Sequence, residues 1–256
     1  MAGRVLSERR GATLVLTLDN PARGNALDGD MLDALAAAAG DVAGDRDLRA
    51  VVLTAGGERA FCTGADIGAW GSLDPVAFGR QWIGDGHRLF DRLAGLPVPL
   101  IGALNGATFG GGLELAAVCD VRIAAPHALF ALPETGLGVT AGWSGLQRLG
   151  RLVPQALLRE MALTGARLTA ARLEAVGFLN AVAEDPLAHA LAIAERCAGL
   201  APRAVEATRL VLNAAAGEGR EAAIDGLAGM MVAMTEDSRA GRAAFAAKRP
   251  PRFTGD

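Results

Sequence analysis

The alternation of apolar and polar residues predicts a strand near the start of the chain. Leucines lie on one face of residues 13–18, and Thr, Val and Thr lie on the other, until Asp19-Asn20-Pro21 ends the pattern. A period of two is typical of a strand that buries one face. A helix is expected next, because Asp30 can serve as an N-cap residue before apolar positions at helical spacing from Met31 to Ala39.

Largely apolar runs predict further strands that are buried on both faces. Such runs occupy residues 50–54, 98–104, 121–125 and 128–132, and helical segments are expected at 74–93 and 113–118. Strands that alternate with helices indicate an α/β fold with a parallel sheet.

The C-terminal part of the chain has a different texture. From Leu152 it is rich in Ala, Leu, Arg and Glu with a period near 3.6, apart from a possible strand at 179–182. Ala201-Pro202 interrupts one helical pattern before a second begins. We therefore expect a main body at residues 1–200 and a helical region at 201–256.

Composition excludes several classes of protein. A hydrophobic content of 51% over 256 residues suits one large globular domain, or a domain with a small appendage. The net charge of −3, without a basic run, argues against a nucleic-acid partner. Three scattered cysteines form no disulfide framework or metal motif, and neither a signal peptide nor about 18 consecutive apolar residues occurs. A cytoplasmic protein without a membrane span is expected.

Residues 105–120 (NGATFGGGLELAAVCD) carry the strongest candidate chemistry. Their implied order is strand, glycine cluster, helix. Glycines at a helix start let a ligand approach unpaired N–H groups that favour negative charge, although they can also serve only tight packing of helix on strand. Glu114 stands in an otherwise apolar turn, where burial would raise its pKa into the range of a general acid or base. A helix-start charge or a structural ion pair is the alternative.

Two further segments can contribute to the same chemistry. Glu134 follows Pro133 at the end of a predicted strand, and two carboxyl groups can divide proton removal and proton donation between them. A glutamate on a surface turn is the alternative. The loop at residues 60–67 contains Gly64 and could supply a second backbone donor to an oxyanion hole.

Together these motifs resemble the crotonase superfamily of enoyl-CoA hydratases and isomerases. The match runs over nearly the whole chain and comprises Asn25-Ala26-Leu27, residues 61–67, residues 105–120, Pro133-Glu134, Gln147-Arg148-Leu149, Ala244-Phe245 and Lys248-Arg249. The resemblance implies an α/β fold, a crotonase-like spiral of ββα units with a C-terminal helical region. It also implies that this region builds homotrimers, often paired into hexamers.

The resemblance further implies the roles of five positions. The thioester oxygen of an acyl-CoA would lie between the backbone N–H groups of Ala65 and Gly111. Glu114 and Glu134 would hold the water that adds across the double bond, and Gly142 would help to orient that water. No metal or redox cofactor is needed, and coenzyme A enters as part of the substrate. The resemblance thus favours hydration of a 2-enoyl-CoA, or the reverse dehydration.

Binding of the coenzyme A moiety is expected from both ends of the chain. The resemblance assigns it to Arg23, the backbone of residues Ala65-Asp66-Ile67, Phe245 and Lys248, which is the only lysine in the chain. Arg and Lys suit nucleotide phosphates, yet exposed basic residues are often simply solvated.

The residues after Ala141 depart from the pattern of the family. Proline is common at the position of Ala141, and Trp143 and Ser144 follow Gly142. Trp143 could shorten or redirect the acyl channel as part of the substrate-binding site. It could equally be an indole packed in the core or against a neighbouring subunit.

Other functions remain as alternatives. An isomerase or an acyl-CoA thioesterase of the same superfamily could use one or both glutamates. A nucleophilic triad is disfavoured, because no histidine lies in a glycine-elbow motif and Gly142-Trp143-Ser144-Gly145 does not fit GxSxG. A non-catalytic RNA-binding role is known for relatives that have lysine-rich helices, and this chain has no such helix.

Overall fold

The computed structural model describes residues 2–256. They divide into two compact units, one that ends at Glu206 and one formed by Ala207–Asp256. The predicted boundary between residues 200 and 201 lies slightly before this division. Within residues 2–256, no helix combines the length and apolarity that crossing a bilayer requires.

The strands are β1 (Arg4–Arg10), β2 (Thr13–Asp19), β3 (Ala50–Ala55), β4 (Ala60–Cys62), β5 (Leu100–Leu104), β6 (Ala107–Phe109), β7 (Val121–Ala124), β8 (Leu129–Ala131), β9 (Leu168–Thr169) and β10 (Ala181–Val182). They form a six-stranded sheet in the order β1-β2-β3-β5-β7-β10 and a four-stranded sheet in the order β4-β6-β8-β9. Pairing is parallel except between β1 and β2 and between β8 and β9.

The helices are α1 (Gly29–Gly44), α2 (Ile67–Trp70), α3 (Pro75–Ala77), α4 (Gly84–Ala94), α5 (Gly111–Ala117), α6 (Gly145–Leu152), α7 (Gln155–Thr164), α8 (Ala170–Ala175), α9 (Pro186–Ala198), α10 (Pro202–Ala215), α11 (Arg220–Ala233) and α12 (Glu236–Ala246). Short 3-10 turns occupy Pro21–Arg23 and Glu134–Leu137, and Phe78–Ile83 forms a π-helical segment between α3 and α4. The α/β class and the helical texture after residue 152 are confirmed.

Two local predictions were wrong, and four strands were not predicted. The N-cap of α1 is Asp28, whose carboxylate accepts from the Met31 N–H, and Asp30 lies inside the helix. Strand β2 is covered on both faces, because Val15 packs in a second apolar cluster with residues of α9. Strands β1, β4, β6 and β9 were not predicted, since exposed charges in β1 hide its pairing and the other three have only two or three residues.

The smaller sheet brings three chain segments to one place. Strands β4, β6 and β8 are neighbours and run parallel. Their carboxyl ends therefore meet at one edge, where the chain continues into residues 63–65, 110–111 and 132–134. Ligands bind at this edge in many parallel sheets. The repeated order of strand, strand and helix thus places the glycine loop, the helix start and Glu134 side by side.

The larger apolar cluster lies beneath this edge. It joins one face of β3 and β5 to the buried faces of α1, α4 and α5. The other face of β3 and β5 packs against α9 in the smaller cluster. The segments that form the edge are therefore supported by β3 and β5, which are buried on both faces.

Matched leucine truncations test this description of the core. Leu53 in β3 is 1% exposed, whereas Leu6 in β1 is 46% exposed. Leu53→Ala should lower the free energy of unfolding by roughly 2–5 kcal/mol, because it removes buried contacts and leaves a cavity. Leu6→Ala should change it by less than about 0.5 kcal/mol. Urea denaturation followed by circular dichroism measures both, and equal effects would contradict the core assignment.

Candidate active site

A cavity lies at the edge where β4, β6 and β8 end. Its polar side is formed by the two predicted glutamates and by the segments that carry the predicted backbone donors: Thr63, Gly64, Ala65, Gly110, Gly111, Glu114, Pro133, Glu134, Thr140, Ala141 and Gly142. Its apolar side is formed by Ile67, Trp70, Phe78, Trp82, Ile83, Leu137, Val139 and Trp143. The structure therefore brings together Glu114, Glu134, Ala65, Gly111 and Gly142.

Glu114 is a buried carboxyl group within α5. Its Oε1 accepts hydrogen bonds of 2.8 Å from the backbone N–H groups of both Trp143 and Gly145. Burial raises the pKa of Glu114 to about 7, against the opposing effect of the two N–H donors, and the nearby charge of Glu134 raises it further. At neutral pH this carboxyl group is poised to bind or release a proton.

The close fit around Glu114 depends on a glycine. A Cβ atom built on Gly145 would lie 2.2 Å from the Cγ of Glu114, so any side chain there would displace the carboxyl group. The turn at residues 143–145 can approach α5 closely enough to donate both hydrogen bonds only because position 145 has no side chain.

Glu134 lies close to the glycine cluster at the start of α5. It begins the 3-10 turn Glu134–Leu137 after Pro133, and a Cβ atom built on Gly110 would lie 2.9 Å from its Oε1. Burial raises the pKa of Glu134 above its usual value. Its buried Oε2 has no hydrogen-bond partner among the described residues. An unpaired buried carboxyl oxygen at a cavity is a site for water or a ligand.

Two backbone N–H groups belong to residues that line the same cavity, Ala65 and Gly111. Gly111 is the first residue of α5, so its N–H has no acceptor within the helix. A Cβ atom built on Gly111 would lie only 3.3 Å from the Ala65 nitrogen, which places the two donors side by side. In residues 2–256, no protein group accepts a hydrogen bond from either N–H. This arrangement can stabilise a negatively charged oxygen.

Trp143 combines the two alternatives that its sequence position allowed. Its side chain is 2% exposed and packs against Trp82 and Phe90 at ring-centroid distances of 5.6 and 5.2 Å. Its indole N–H donates to the Trp82 carbonyl oxygen, and its ring edge faces Gly111 and the cavity. Trp143 is therefore both a packed core residue and part of the cavity wall.

The predicted coenzyme A residues have different surroundings. Ile67 lines the cavity, but Asp66 does not, because its carboxylate caps α2 and pairs with the Arg23 guanidinium at 2.7 and 2.8 Å. Phe245 and Lys248 belong to the unit Ala207–Asp256, where Phe245 is 88% exposed and Lys248 adopts a positive φ of 51°.

Sequence reasoning missed two parts of the site. The N–H donors to Glu114 are backbone groups of residues 143 and 145, and no side-chain pattern reveals them. The apolar wall comes from Trp70, Phe78 and Trp82, which lie on the segment between β4 and β5. One signal was available, since all three tryptophans of the chain line the cavity.

Comparison with known proteins gives the family. The profile described as "Enoyl-CoA hydratase/isomerase" matches residues 8–256. The chain belongs to the enoyl-CoA hydratase/isomerase family. The crotonase-like fold and the family resemblance expected from the sequence are thus confirmed.

Individual relatives resemble the chain over most of its length. A short-chain-enoyl-CoA hydratase of Clostridium acetobutylicum is 36% identical over 82% of this chain and 80% of its own. The 2,3-dehydroadipyl-CoA hydratase of Escherichia coli is 35% identical over 98% of both chains. The crystal structure of an enoyl-CoA hydratase from Bacillus anthracis superposes with a TM-score of 0.79 at 29% identity, covering 98% of this chain and 99% of that one.

The raised pKa of Glu114 predicts a pH-dependent cost to stability. Between pH 4.5 and 7 the unfolded chain loses this proton while the folded protein keeps it, so wild-type stability falls as the pH rises through that window. Glu114→Gln lacks this loss, so its stability relative to wild type should rise by about 3 kcal/mol between pH 4 and pH 9. Denaturant unfolding from pH 4 to 9 measures the difference.

The exposed Glu195 of α9 provides the control. Glu195→Gln should follow the wild-type stability curve over the same pH range. A Glu114→Gln protein with wild-type stability at every pH would contradict the buried, destabilised carboxylate.

Proposed function

We propose that this protein is an enoyl-CoA hydratase that adds water across the 2,3 double bond of a 2-enoyl-CoA, or removes it in reverse. The observation that carries the proposal is the convergence of the buried Glu114 and the half-buried Glu134, both with raised pKa values, on one cavity that is also lined by two unpaired N–H groups. Both features are needed for this chemistry. The glutamates accept and donate protons, and the N–H groups stabilise the negative charge on the thioester oxygen.

The proposed mechanism assigns the thioester oxygen to Ala65 N–H and Gly111 N–H. As the water oxygen bonds to C3, negative charge moves onto the thioester oxygen, where the two donors stabilise it. One glutamate, ionised, takes a proton from the water, and the other, protonated, gives a proton to C2. Coenzyme A takes part only as the substrate, and no step requires a metal or redox cofactor.

The unpaired Oε2 of Glu134 supports a water site between the two glutamates. Glu114 Oε1 is already held by two N–H groups, so its carboxyl group is fixed in orientation before substrate binds. A fixed acid and base reduce the entropy cost of bringing water to the double bond. Gly142 also lines this side of the cavity and contributes backbone to the water site in the proposal.

Amide variants of the glutamates test the proposal. Glu114→Gln and Glu134→Gln should each lower kcat for hydration roughly 10²- to 10⁴-fold, because each removes one proton transfer and keeps the side-chain shape. The rate is measured as the loss of the conjugated thioester absorbance of crotonyl-CoA and longer 2-enoyl-CoAs.

The same series discriminates between the related activities. Glu195→Gln should retain the wild-type rate. Wild-type rates in both glutamine variants of the cavity would refute the roles of Glu114 and Glu134. A wild-type protein that ignores every 2-enoyl-CoA but isomerises a 3-enoyl-CoA, or releases free coenzyme A, would favour the isomerase or the thioesterase.

The cavity wall supports an apolar, uncharged acyl group. Its side chains include three tryptophans, one phenylalanine and four aliphatic residues, and its only charged side chains are the two glutamates. A carboxylate at the far end of the acyl chain would lose hydration without gaining a cationic partner.

This wall predicts discrimination between two substrates of similar length. The kcat/KM for 2-hexenoyl-CoA should exceed that for 2,3-dehydroadipyl-CoA by at least about tenfold, which corresponds to a modest cost of burying an unpaired charge. Steady-state hydration of both thioesters under the same conditions gives the ratio. Equal efficiencies would show that the acyl group does not enter the apolar part of the cavity.

The remaining assignments concern binding and assembly. We propose that Arg23, Asp66, Ile67, Phe245 and Lys248 contribute to binding of coenzyme A, with Arg23 acting while paired to Asp66. We also propose that the protein is cytoplasmic and forms homotrimers, singly or as paired hexamers, through its C-terminal helices. Exposed large apolar side chains in the second unit support an interface there: Val211, Leu212, Ile224, Met231, Val232, Met234, Phe245 and Phe253.

A further inference from the structure

A serine, a histidine and an aspartate outside the cavity lining form a chain of polar contacts. The Ser144 Oγ is 2.8 Å from His87 Nδ1, and His87 Nε2 is 3.3 Å from an oxygen of Asp91. The other oxygen of Asp91 accepts at 2.6 Å from the buried guanidinium of Arg148 on α6. The chain thus links α4, which carries His87 and Asp91, to the start of α6.

This trio is not placed to attack a substrate in the cavity. Gly142 and Trp143 line the cavity, but Ser144 does not. Ser144 is buried, and its hydroxyl group is within reach of His87 on the outer face of α4. The geometry indicates a structural link to the cavity wall and excludes a nucleophile acting within it.

The backbone of Ser144 shows what this link holds. Ser144 has φ 67° and ψ 15°, the left-handed conformation, which a residue with a Cβ atom adopts only when its surroundings enforce it. It occupies the N-cap position of α6, where a serine hydroxyl ordinarily accepts from the helix N–H groups. Here the side chain makes no cap hydrogen bond, and its hydroxyl is instead within hydrogen-bond distance of His87.

The strained residue sits between the two donors to Glu114. The Trp143 N–H precedes Ser144 and the Gly145 N–H follows it, and both donate to the same Glu114 oxygen at 2.8 Å. A change in the peptide orientation at Ser144 would therefore move both donors together. Two side chains of this turn are tied to neighbouring elements: the Ser144 hydroxyl contacts His87 of α4, and the Trp143 indole donates to the Trp82 carbonyl oxygen in the π-helical segment.

We propose that His87, acting through Ser144, is a positioning residue that holds the 143–145 turn and thereby sets the protonation behaviour of Glu114. The inference rests on the proposed function, in which Glu114 transfers a proton during hydration. His87 reaches no substrate itself. Its contribution is to keep two N–H groups aimed at a carboxylate that would otherwise be buried without them.

The charged groups around this link define the expected direction. Glu114 faces Glu134 across the cavity and feels the Arg148 charge from α6. His87 faces Asp91 on its own helix and Arg148 through Asp91, while Asp85 pairs with Arg88. Because the N–H donors favour the ionised form of Glu114, loosening the turn should raise its pKa further and leave less carboxylate at neutral pH.

Substitutions at both ends of the link test the proposal. We expect His87→Ala and Ser144→Ala each to raise the pKa of Glu114 by about half a unit or more. Each substitution should also lower kcat about three- to tenfold, because one hydrogen bond is lost. KM should change little. His87→Asn, which places an amide group where Nδ1 lies, should restore most of both values.

Two readouts separate this proposal from the proposed function. The titration of Glu114 is followed by carboxyl ¹³C NMR in the substrate-free protein, with the resonance assigned by its loss in Glu114→Gln. The pH profile of kcat/KM is measured in parallel. If wild type hydrates no enoyl-CoA, the proposed function fails, while the NMR titration still decides whether His87 controls Glu114.

Controls distinguish the hydrogen bond from backbone strain. Ser144→Gly accepts the left-handed conformation but has no hydroxyl group, so it should behave like Ser144→Ala. His189→Ala, at an exposed histidine of α9, should match wild type. The proposal is overturned if Ser144→Gly matches wild type, if His87→Asn is no better than His87→Ala, or if His87→Ala leaves the Glu114 titration unchanged.

Discussion

The burial of the Glu114 carboxyl group is the constraint on which the site depends. A carboxylate inside an apolar helix turn is costly, and the fold offsets that cost only in part, with two N–H donors from a turn that is distant in sequence. The remaining cost appears as a pKa near neutrality. The glycine at position 145, the left-handed Ser144 and the packing of Trp143 can all be understood as conditions for holding that turn against α5.

The second constraint is the alignment of β4, β6 and β8. Parallel neighbours deliver their carboxyl ends to one edge, so the short loops that follow them need no long excursions to meet. This explains how Ala65, Gly111 and Glu134, which come from three separate strand-strand-helix units, face one cavity. The segment between β4 and β5 makes the cavity apolar, because it supplies most of the aromatic side chains of the wall.

The parts of this site that depend on side-chain type could be predicted from the sequence. Glu114 was recognisable because a carboxylate stood among apolar residues, and the buried strands because their runs were unbroken. Backbone donors leave no such signal, so the role of the 143–145 turn emerged only from the geometry. His87 belongs to no local sequence motif, because its partner Ser144 lies far away in the sequence. The π-helical segment that carries Phe78 and Trp82 likewise has no distinct periodicity, which left most of the cavity wall unpredicted.

Following oxygen from water into product tests the proposed hydration most directly. The protein is incubated with crotonyl-CoA in H₂¹⁸O, and the thioester is analysed by mass spectrometry with localisation of the label. Hydration at this site predicts a 3-hydroxyacyl-CoA with one ¹⁸O at C3, formed by wild type and strongly reduced in Glu114→Gln and Glu134→Gln. An unlabelled product of unchanged mass, or label found only in the carboxyl group of a released acid, would contradict it.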